Sequence, residues 1–483
     1  MKKFNSLYEL NVYVNSNPID INDIDIDSLT VKITSKMTTF GVMSTEKEYL
    51  CYIIFNDKSS YREYKEGKQI DADLHSINAI QINITLSEFQ TLKPKVKYIE
   101  FINPDEKLTP SGSFSEDVPV NPYSNWGADI ANINLAWTRG FTGKGVRVAI
   151  IDDSFPNESN PLNFKDRVTF DTSIIINPTT ISIPEGNIAT HGTACAGIIG
   201  APAHPERAIG IAYDCDMYGL GTDLRNIAIN KAYQWCIDND IDIVSTSYGY
   251  SSSTEITGIR ADKLLIEAMQ SKGIIHVSSA GNKNSVKHHY PSNYPGVISV
   301  GAVAEIGGKL TKVSWDSTTP EGGGYNQPSV DFIFSGQGVR TFDATESPFV
   351  SFGGTSAACP GIAGIYAILK QEYPDKSKDE LTSLLKSNSF QVMGRYGRYP
   401  IYKDYSKKEL DGTRISKINK DGSMYIKGEM IVDELCESLK FDSAGNLHVK
   451  SFDTGVSSNK YTHPLKFFKD RISTRFIIEN QKI

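Results

Sequence analysis

Four short apolar runs fix most of what this chain can fold into: Val146-Arg-Val-Ala-Ile-Ile151, Ile241-Asp-Ile-Val244, Ile274-Ile-His-Val277 and Val297-Ile-Ser-Val300. Each carries a single polar residue, so none presents the alternation of a strand with one face in water; such strands are covered on both sides. Helical stretches at 227–237 and 260–270 separate them. Apolar strands alternating with helices predict an α/β fold, a mostly parallel sheet with helices on both faces. In such sheets ligands gather at the carboxyl ends of the strands. Asp152, Ser247 and Asn282 all lie just past strand ends.

This alternation begins near Trp126 and runs to about Tyr402, within a chain of 483 residues long enough for two to four domains. The pattern predicts three: 1–110, 121–403 and 404–483. In the first, strands at 49–55, 77–84 and 96–102 alternate with helices at 60–66 and 85–92, a small α+β module. Residues 103–121 carry Pro, Ser, Gly and acids with no periodicity and read as an exposed linker. Beyond 404 the strands shorten, and Gly422-Ser-Met-Tyr-Ile-Lys427 recurs as Gly445-Asn-Leu-His-Val-Lys450. That predicts a β-rich C-terminal appendage.

Charge and cysteine usage exclude several classes. The net charge is −7 with both signs dispersed, so no basic stripe offers itself to nucleic acid. No apolar run is long enough to span a bilayer. The six cysteines show no C-x-x-C spacing, which points to reduced, buried thiols rather than a zinc knuckle or disulfide framework. Met1-Lys-Lys-Phe has no continuous apolar core after its lysines, so no signal peptide is read. The expected location is therefore cytoplasmic or virion-associated.

The chemistry concentrates in Gly353-Gly-Thr-Ser-Ala-Ala-Cys-Pro360, followed by the apolar run 361–369. Small residues before Ser356 let backbone approach something bound. The run after it predicts a buried helix starting at that serine, and its free amide hydrogens and positive dipole end favour negative charge. An ordinary N-cap has the same local pattern. Two other residues decide between these readings. Asp152 or its neighbour Asp153 supplies a carboxylate at a strand end, and His191 opens His191-Gly-Thr-Ala-Cys-Ala-Gly197, a close-packed helix start. The order Asp, His, Ser is one of the known orders of a serine-nucleophile triad.

Val148-Ala-Ile-Ile-Asp152, His191-Gly-Thr193, Ser278-Ser-Ala-Gly-Asn282 and Gly354-Thr-Ser-Ala-Ala-Cys-Pro360 resemble the four signature blocks of the subtilases, the subtilisin-like serine proteases. The resemblance covers 126–402. It implies a serine endopeptidase in which His191 takes the proton of Ser356, Asp152 orients the imidazole and Asn282 helps hold the oxyanion. Register with the apolar run favours Asp152 over Asp153. Ser154 and Ala357 depart from the family's usual Gly and Met without removing a catalytic group. Ser247-Tyr248-Gly249 and Ser279-Ala280-Gly281 resemble the strands flanking the specificity pocket, with His289 near its floor, and a polar pocket is expected. No cofactor is required for the chemistry. Structural calcium is common in the family, but no ligands suggest themselves. The N-terminal module resembles the family's inhibitory propeptide, which makes it a partner of its own protease and puts the self-cleavage site within 103–121. Peptides or proteins are the expected substrates. A catalytically silent binding domain is the alternative, and the C-terminal appendage could attach either form to a larger assembly.

Overall fold

The computed structural model describes residues 2–3, 7–16, 24–25, 48–102, 108–110, 112–114, 126–153, 155, 168–170, 191–203, 208–249, 259–282, 290–306, 309–312, 330–341, 350–392, 397–403, 436–441 and 447–451. They divide into two units, Met1–Lys403 and Asp404–Ile483.

An eight-stranded sheet organises the first unit. Six strands run parallel in the order Val168–Phe170, Asp216–Gly221, Arg147–Asp152, Ile243–Thr246, Ile275–Ser279 and Ile298–Ile306. Phe332–Ser335 joins the last of these in parallel, and Lys309–Lys312 pairs with it antiparallel. The chain leaves Arg147–Asp152 for one side of the sheet and returns to build the other. Asp152 thus stands at a topological switch point, where strand ends diverge and a crevice opens.

Strand alternation assigns the two faces. Ala149 and Ile151 share a core with Ile229, Tyr233 and Leu265 from the helices Asn226–Asp238 and Ile259–Ser271. Val148, Ile150 and Asp152 have the opposite parity. The helices His191–Gly200 and Thr355–Glu372 pack on each other and against the sheet, and both are apolar nearly all round because both are enclosed. The α/β architecture, with helices on both faces of a mainly parallel sheet, is the one the apolar runs require. Ahead of the sheet the chain forms two short helices, Trp126–Ile130 and Ile133–Thr138. Asn132 between them takes φ 59°, a left-handed conformation that asparagine tolerates.

Residues 48–102 form a four-stranded antiparallel sheet, ordered Ala72–Leu74, Ala79–Thr85, Glu48–Phe55, Val96–Phe101. Its strand Glu48–Phe55 is apolar at almost every position because it serves two cores. Cys51, Ile53 and Phe55 pack with Tyr61 and Phe89 of the module's own helices, Lys58–Lys65 and Leu86–Leu92. Tyr52 and Ile54 point the other way and join the core of Ile229, Tyr233 and Leu265. The second helix starts with a capping box, Thr85 and Glu88 each satisfying the other's backbone N–H. A further helix, Leu7–Ser16, guards the sheet edge: Asn11 and Asn15, one turn apart, bond both backbone groups of Phe101 and Ile99.

The exposed linker expected at 103–121 is corrected in part. Thr109–Pro110 pairs antiparallel with Tyr248–Gly249, Gly112–Phe114 pairs with Val350–Gly354, and Leu108 is buried. Strands of two and three residues show no periodicity of their own; the strands they join impose them.

In the second unit Cys436–Phe441 pairs antiparallel with Leu447–Ser451. The recurring pattern at 445–450 falls largely on the latter strand, and its counterpart at 422–427 lies outside the described residues.

Candidate active site

Asp152 is the last residue of its strand and 1% exposed. Its Oδ1 accepts from the Asp153 backbone N–H at 2.8 Å and from His191 Nδ1 at 2.7 Å. His191 meets Asp152 from the first position of its helix, so the strand parity that places Asp152 on the His191 face also turns Asp153 aside. With Nδ1 donating to a carboxylate, the neutral ring presents Nε2 as an acceptor. That Nε2 is buried and has no hydrogen-bond partner among the described residues.

Burial alone would push the imidazole toward neutrality. The Asp152 carboxylate outweighs it, with Cys195 adding to the effect, and holds His191 well above its ordinary range. Asp152 pays a burial penalty of its own, but the cationic ring and the Asp153 N–H keep it below the usual carboxylate range. The two groups stabilise each other's charged forms. Phe352 closes one side of the ring, edge-on with centroids 5.3 Å apart.

Ser356 is the second residue of the helix Thr355–Glu372, which Gly354 enters at φ 94°. A side chain is strained at that angle and glycine is not. Pro360 lies four residues on and has no N–H to give the Ser356 carbonyl. Cys195 Sγ and Ser247 Oγ occupy that carbonyl instead, at 3.5 and 3.3 Å. Cys195 also lies 3.9 Å from His191 Nδ1, so one thiol touches both the histidine and the serine segment. The sequence shows no charge partner for it, and the structure supplies one. Burial nonetheless raises the Cys195 thiol above its ordinary range, and Asp152 adds to this against the opposing pull of His191.

The Ser356 hydroxyl donates to the Ser247 carbonyl at 3.0 Å. It is not bonded to His191 Nε2, which has no hydrogen-bond partner among the described residues. Looser contacts of this kind are usual before substrate binds.

Asn282 follows the strand Ile275–Ser279 by three residues. Its Oδ1 accepts from Thr355 N–H at 2.9 Å and from Thr355 Oγ1 at 3.0 Å. Two donors on the oxygen settle the orientation of the amide and leave Nδ2 as the donating end. The Gly281 N–H in turn donates to Thr355 Oγ1 at 3.2 Å. Thr355 is the residue the sequence reading passed over; its place between glycine and serine was the available signal.

Ser247, Tyr248 and Gly249 line one side of the site through Ser247's contacts with Ser356 and the pairing of Tyr248–Gly249. Ser279, Ala280 and Gly281 lead from the neighbouring strand to Asn282, all three buried. His289 lies outside the described residues. Among the described residues, Asp152, His191 and Cys195 form a group of His, Cys and acidic side chains whose donor atoms lie within 4.8 Å of one another. A sulfur and an imidazole nitrogen do not suit calcium, which takes oxygen ligands. Cys51, Cys195, Cys215, Cys236 and Cys359 are buried thiols outside any disulfide. No described helix is long and apolar enough to cross a membrane.

The model of the subtilase family matches residues 143–419, more than half of the chain. A thermostable alkaline protease of Halalkalibacterium halodurans is 27% identical over 361 residues, which cover 73% of this chain and 89% of the relative. Subtilisin E of Bacillus subtilis is 24% identical over 367 residues, covering 72% and 87%. Among solved structures, fervidolysin from Fervidobacterium pennivorans, a keratinolytic enzyme related to subtilisin, superposes with a TM-score of 0.55 at 18% identity. That match covers 74% of this chain, which spans 60% of fervidolysin's length, and it bears on the fold alone. The relatives correct the expected cytoplasmic or virion-associated location, because they are secreted alkaline proteases. That expectation rested on the residues after Met1, which carry no physical information about compartment beyond a missing apolar run.

Proposed function

Since this chain belongs to the subtilase family, we propose that its proteolytic centre is Asp152, His191 and Ser356 with Asn282, and that it is made as a zymogen held by residues 1–110. The chain is a serine-type endopeptidase acting on peptides or proteins, and subtilases need no cofactor for catalysis. The observation that carries the assignment of the centre is the buried Asp152–His191 pair at 2.7 Å, with Ser356 at a helix N-terminus beside it.

Rotation of the Ser356 hydroxyl from the Ser247 carbonyl to His191 Nε2 completes the triad. The imidazole takes the proton as the oxygen attacks a peptide carbonyl, and Asp152 stabilises the imidazolium. Asn282 Nδ2 and the Ser356 N–H face the developing oxyanion, and Thr355 keeps the amide turned that way. His191 returns the proton to the leaving amine, and water then releases the acyl group.

The primary pocket, flanked by Ser247–Gly249 and Ser279–Gly281, takes polar rather than large apolar side chains. A peptide library cleaved chiefly after Phe or Leu would overturn that preference. For residues 404–483, a unit of their own, the reading is attachment to a larger assembly; a full-length chain that stays monomeric on sizing counts against it.

The zymogen reading draws on the shared core of the module with the helices Asn226–Asp238 and Ile259–Ser271. It draws equally on Thr109–Pro110 pairing beside Ser247. Intact mass of wild type beside Ser356→Ala tests it. Loss of an N-terminal piece ending within 103–121 in wild type alone supports it. A wild type that digests casein while staying whole keeps the protease and removes the zymogen.

A further inference from the structure

The face that the N-terminal sheet turns to the protease is not uniformly apolar. Tyr52 stands opposite Gln81 on one neighbouring strand and Glu100 on the other, so the three share that face, and all are buried. Ile54, Leu74 and Ala79 of the module belong to the apolar core around them. Across from the sheet, the helix Asn226–Asp238 carries Asn226 and Asn230, one turn apart, and the helix Ile259–Ser271 carries Asp262; these three are buried too. A contact with polar groups at its centre gains less from burial than an apolar one.

These polar groups form one directed chain. The Asp262 Oδ2 accepts from Asn226 Nδ2 at 3.3 Å. That turns Asn226 Oδ1 toward the sheet, where it accepts from the Tyr52 hydroxyl at 3.1 Å and from Asn230 Nδ2 at 3.0 Å. Asn230 Nδ2 also donates to the Tyr52 oxygen at 2.7 Å. One hydroxyl thus gives a proton to one amide and takes one from the other, which neither a methyl nor a carbonyl can do. Stability does not account for the arrangement. Both amide atoms of Gln81 and the Oδ1 of Asn230 are buried with no hydrogen-bond partner among the described residues, and such atoms weaken a contact. Register does account for it. Apolar side chains let a sheet slide along helices at small cost, whereas a shift of one residue, about 3.3 Å, takes Tyr52 out of reach of both amides.

We propose that Asn226 and Asn230, oriented by Asp262, are a recognition site for the Tyr52 hydroxyl, through which the protease selects its own N-terminal module and fixes the register of that sheet on its helices. The partner this surface fits is a β-sheet face carrying a phenol among aliphatic side chains. The consequence for processing rests on the zymogen reading above. Ile102 and Leu108 belong to the same core as Tyr52, so the register set at Tyr52 carries into the pairing of Thr109–Pro110 with Tyr248–Gly249. A sheet free to slide presents more than one bond to Ser356, and a sheet held at Tyr52 presents one.

Full-length chains carrying Tyr52→Phe or Ile54→Val separate recognition from packing. Both positions face the same core, and losing one hydroxyl or one methylene there costs a comparable amount of stability. Intact mass and N-terminal sequencing follow self-processing, and urea midpoints in the Ser356→Ala background check that the two losses match. Wild type and Ile54→Val are expected to yield one new N-terminus. Tyr52→Phe is expected to yield several, with the wild-type cut slowed about two- to tenfold. The same single N-terminus at equal rates in Tyr52→Phe and Ile54→Val overturns the recognition site and leaves the zymogen reading intact. Several N-termini in both variants assign the register to packing and overturn it as well. A wild type that is never cut removes the zymogen reading and this consequence together.

Discussion

The Asp152 carboxylate has two jobs at one oxygen: it fixes the His191 tautomer, and it opposes the burial that would otherwise keep the ring neutral at low pH. Catalysis needs the neutral ring, so the acid limb of kcat/KM follows the His191 titration and lies above the ordinary imidazole value. Asp152→Asn removes the charge that raises it. The expected result is an acid limb displaced to lower pH together with a loss of about 10⁴ in kcat, the order seen when serine proteases lose this group. A pH–rate profile reads both at once. An unchanged limb would mean that Asp152 does not govern the histidine. Thr355 and Pro360 act at the same scale without touching the reacting atoms. One pins Asn282; the other frees a carbonyl that Cys195 and Ser247 then tie down.

The helix Thr355–Glu372 can carry the nucleophile into the core only because its buried face is narrow. A Cβ on Gly361 would meet the Phe334 ring at 2.3 Å, and one on Gly364 would meet Ile211 at 2.8 Å. Gly361→Ala improves helix propensity by roughly 1 kcal/mol. Overpacking costs about 1–3 kcal/mol, so the net effect is destabilising, visible as a lower urea midpoint at unchanged slope. The strand Ile275–Ser279 sets a second condition. His276 is fully buried, its Nε2 pairs with Thr246 Oγ1 at 2.9 Å, and burial lowers its pKa to about 3. The unfolded ring takes its proton near pH 6.5, before the folded one can. The contribution of neutral His276 to stability is therefore complete above about pH 6.5 and is lost as pH falls toward 3, at about 1.4 kcal/mol per unit. Urea titrations of the Ser356→Ala chain between pH 4 and 7 should show this slope, and His276→Asn should flatten it.

Across the whole of the first unit, the N-terminal module and the protease sheet share one apolar core, and Tyr52 makes its polar link. The Tyr52 hydroxyl donates to Asn226 Oδ1 at 3.1 Å and accepts from Asn230 Nδ2 at 2.7 Å, all three groups being buried. Tyr52→Phe takes one partner from each amide, although Asn230 Nδ2 still donates to Asn226 Oδ1 at 3.0 Å; a loss of about 0.5–1.5 kcal/mol is expected as a lower urea midpoint in the uncut Ser356→Ala chain. No change would mean that water replaces the hydroxyl. The apolar runs, the glycines before Ser356 and the four motif blocks were enough to foresee the sheet, its carboxyl-end crevice and Asp152 beside His191, because burial and backbone geometry constrain those residues locally. The apolar run 49–55 likewise marked a strand of the N-terminal module, though not that it would serve two cores. The sequence could not show that Asn132 would split a helix, that Asn11 and Asn15 would close a sheet edge, or that 109–114 would be drawn into strands. Nor could it place Thr355 on Asn282 or set Gly112 opposite Gly354. Those outcomes depend on partners far away in the chain, and only the closed tertiary structure brings the partners within hydrogen-bonding reach.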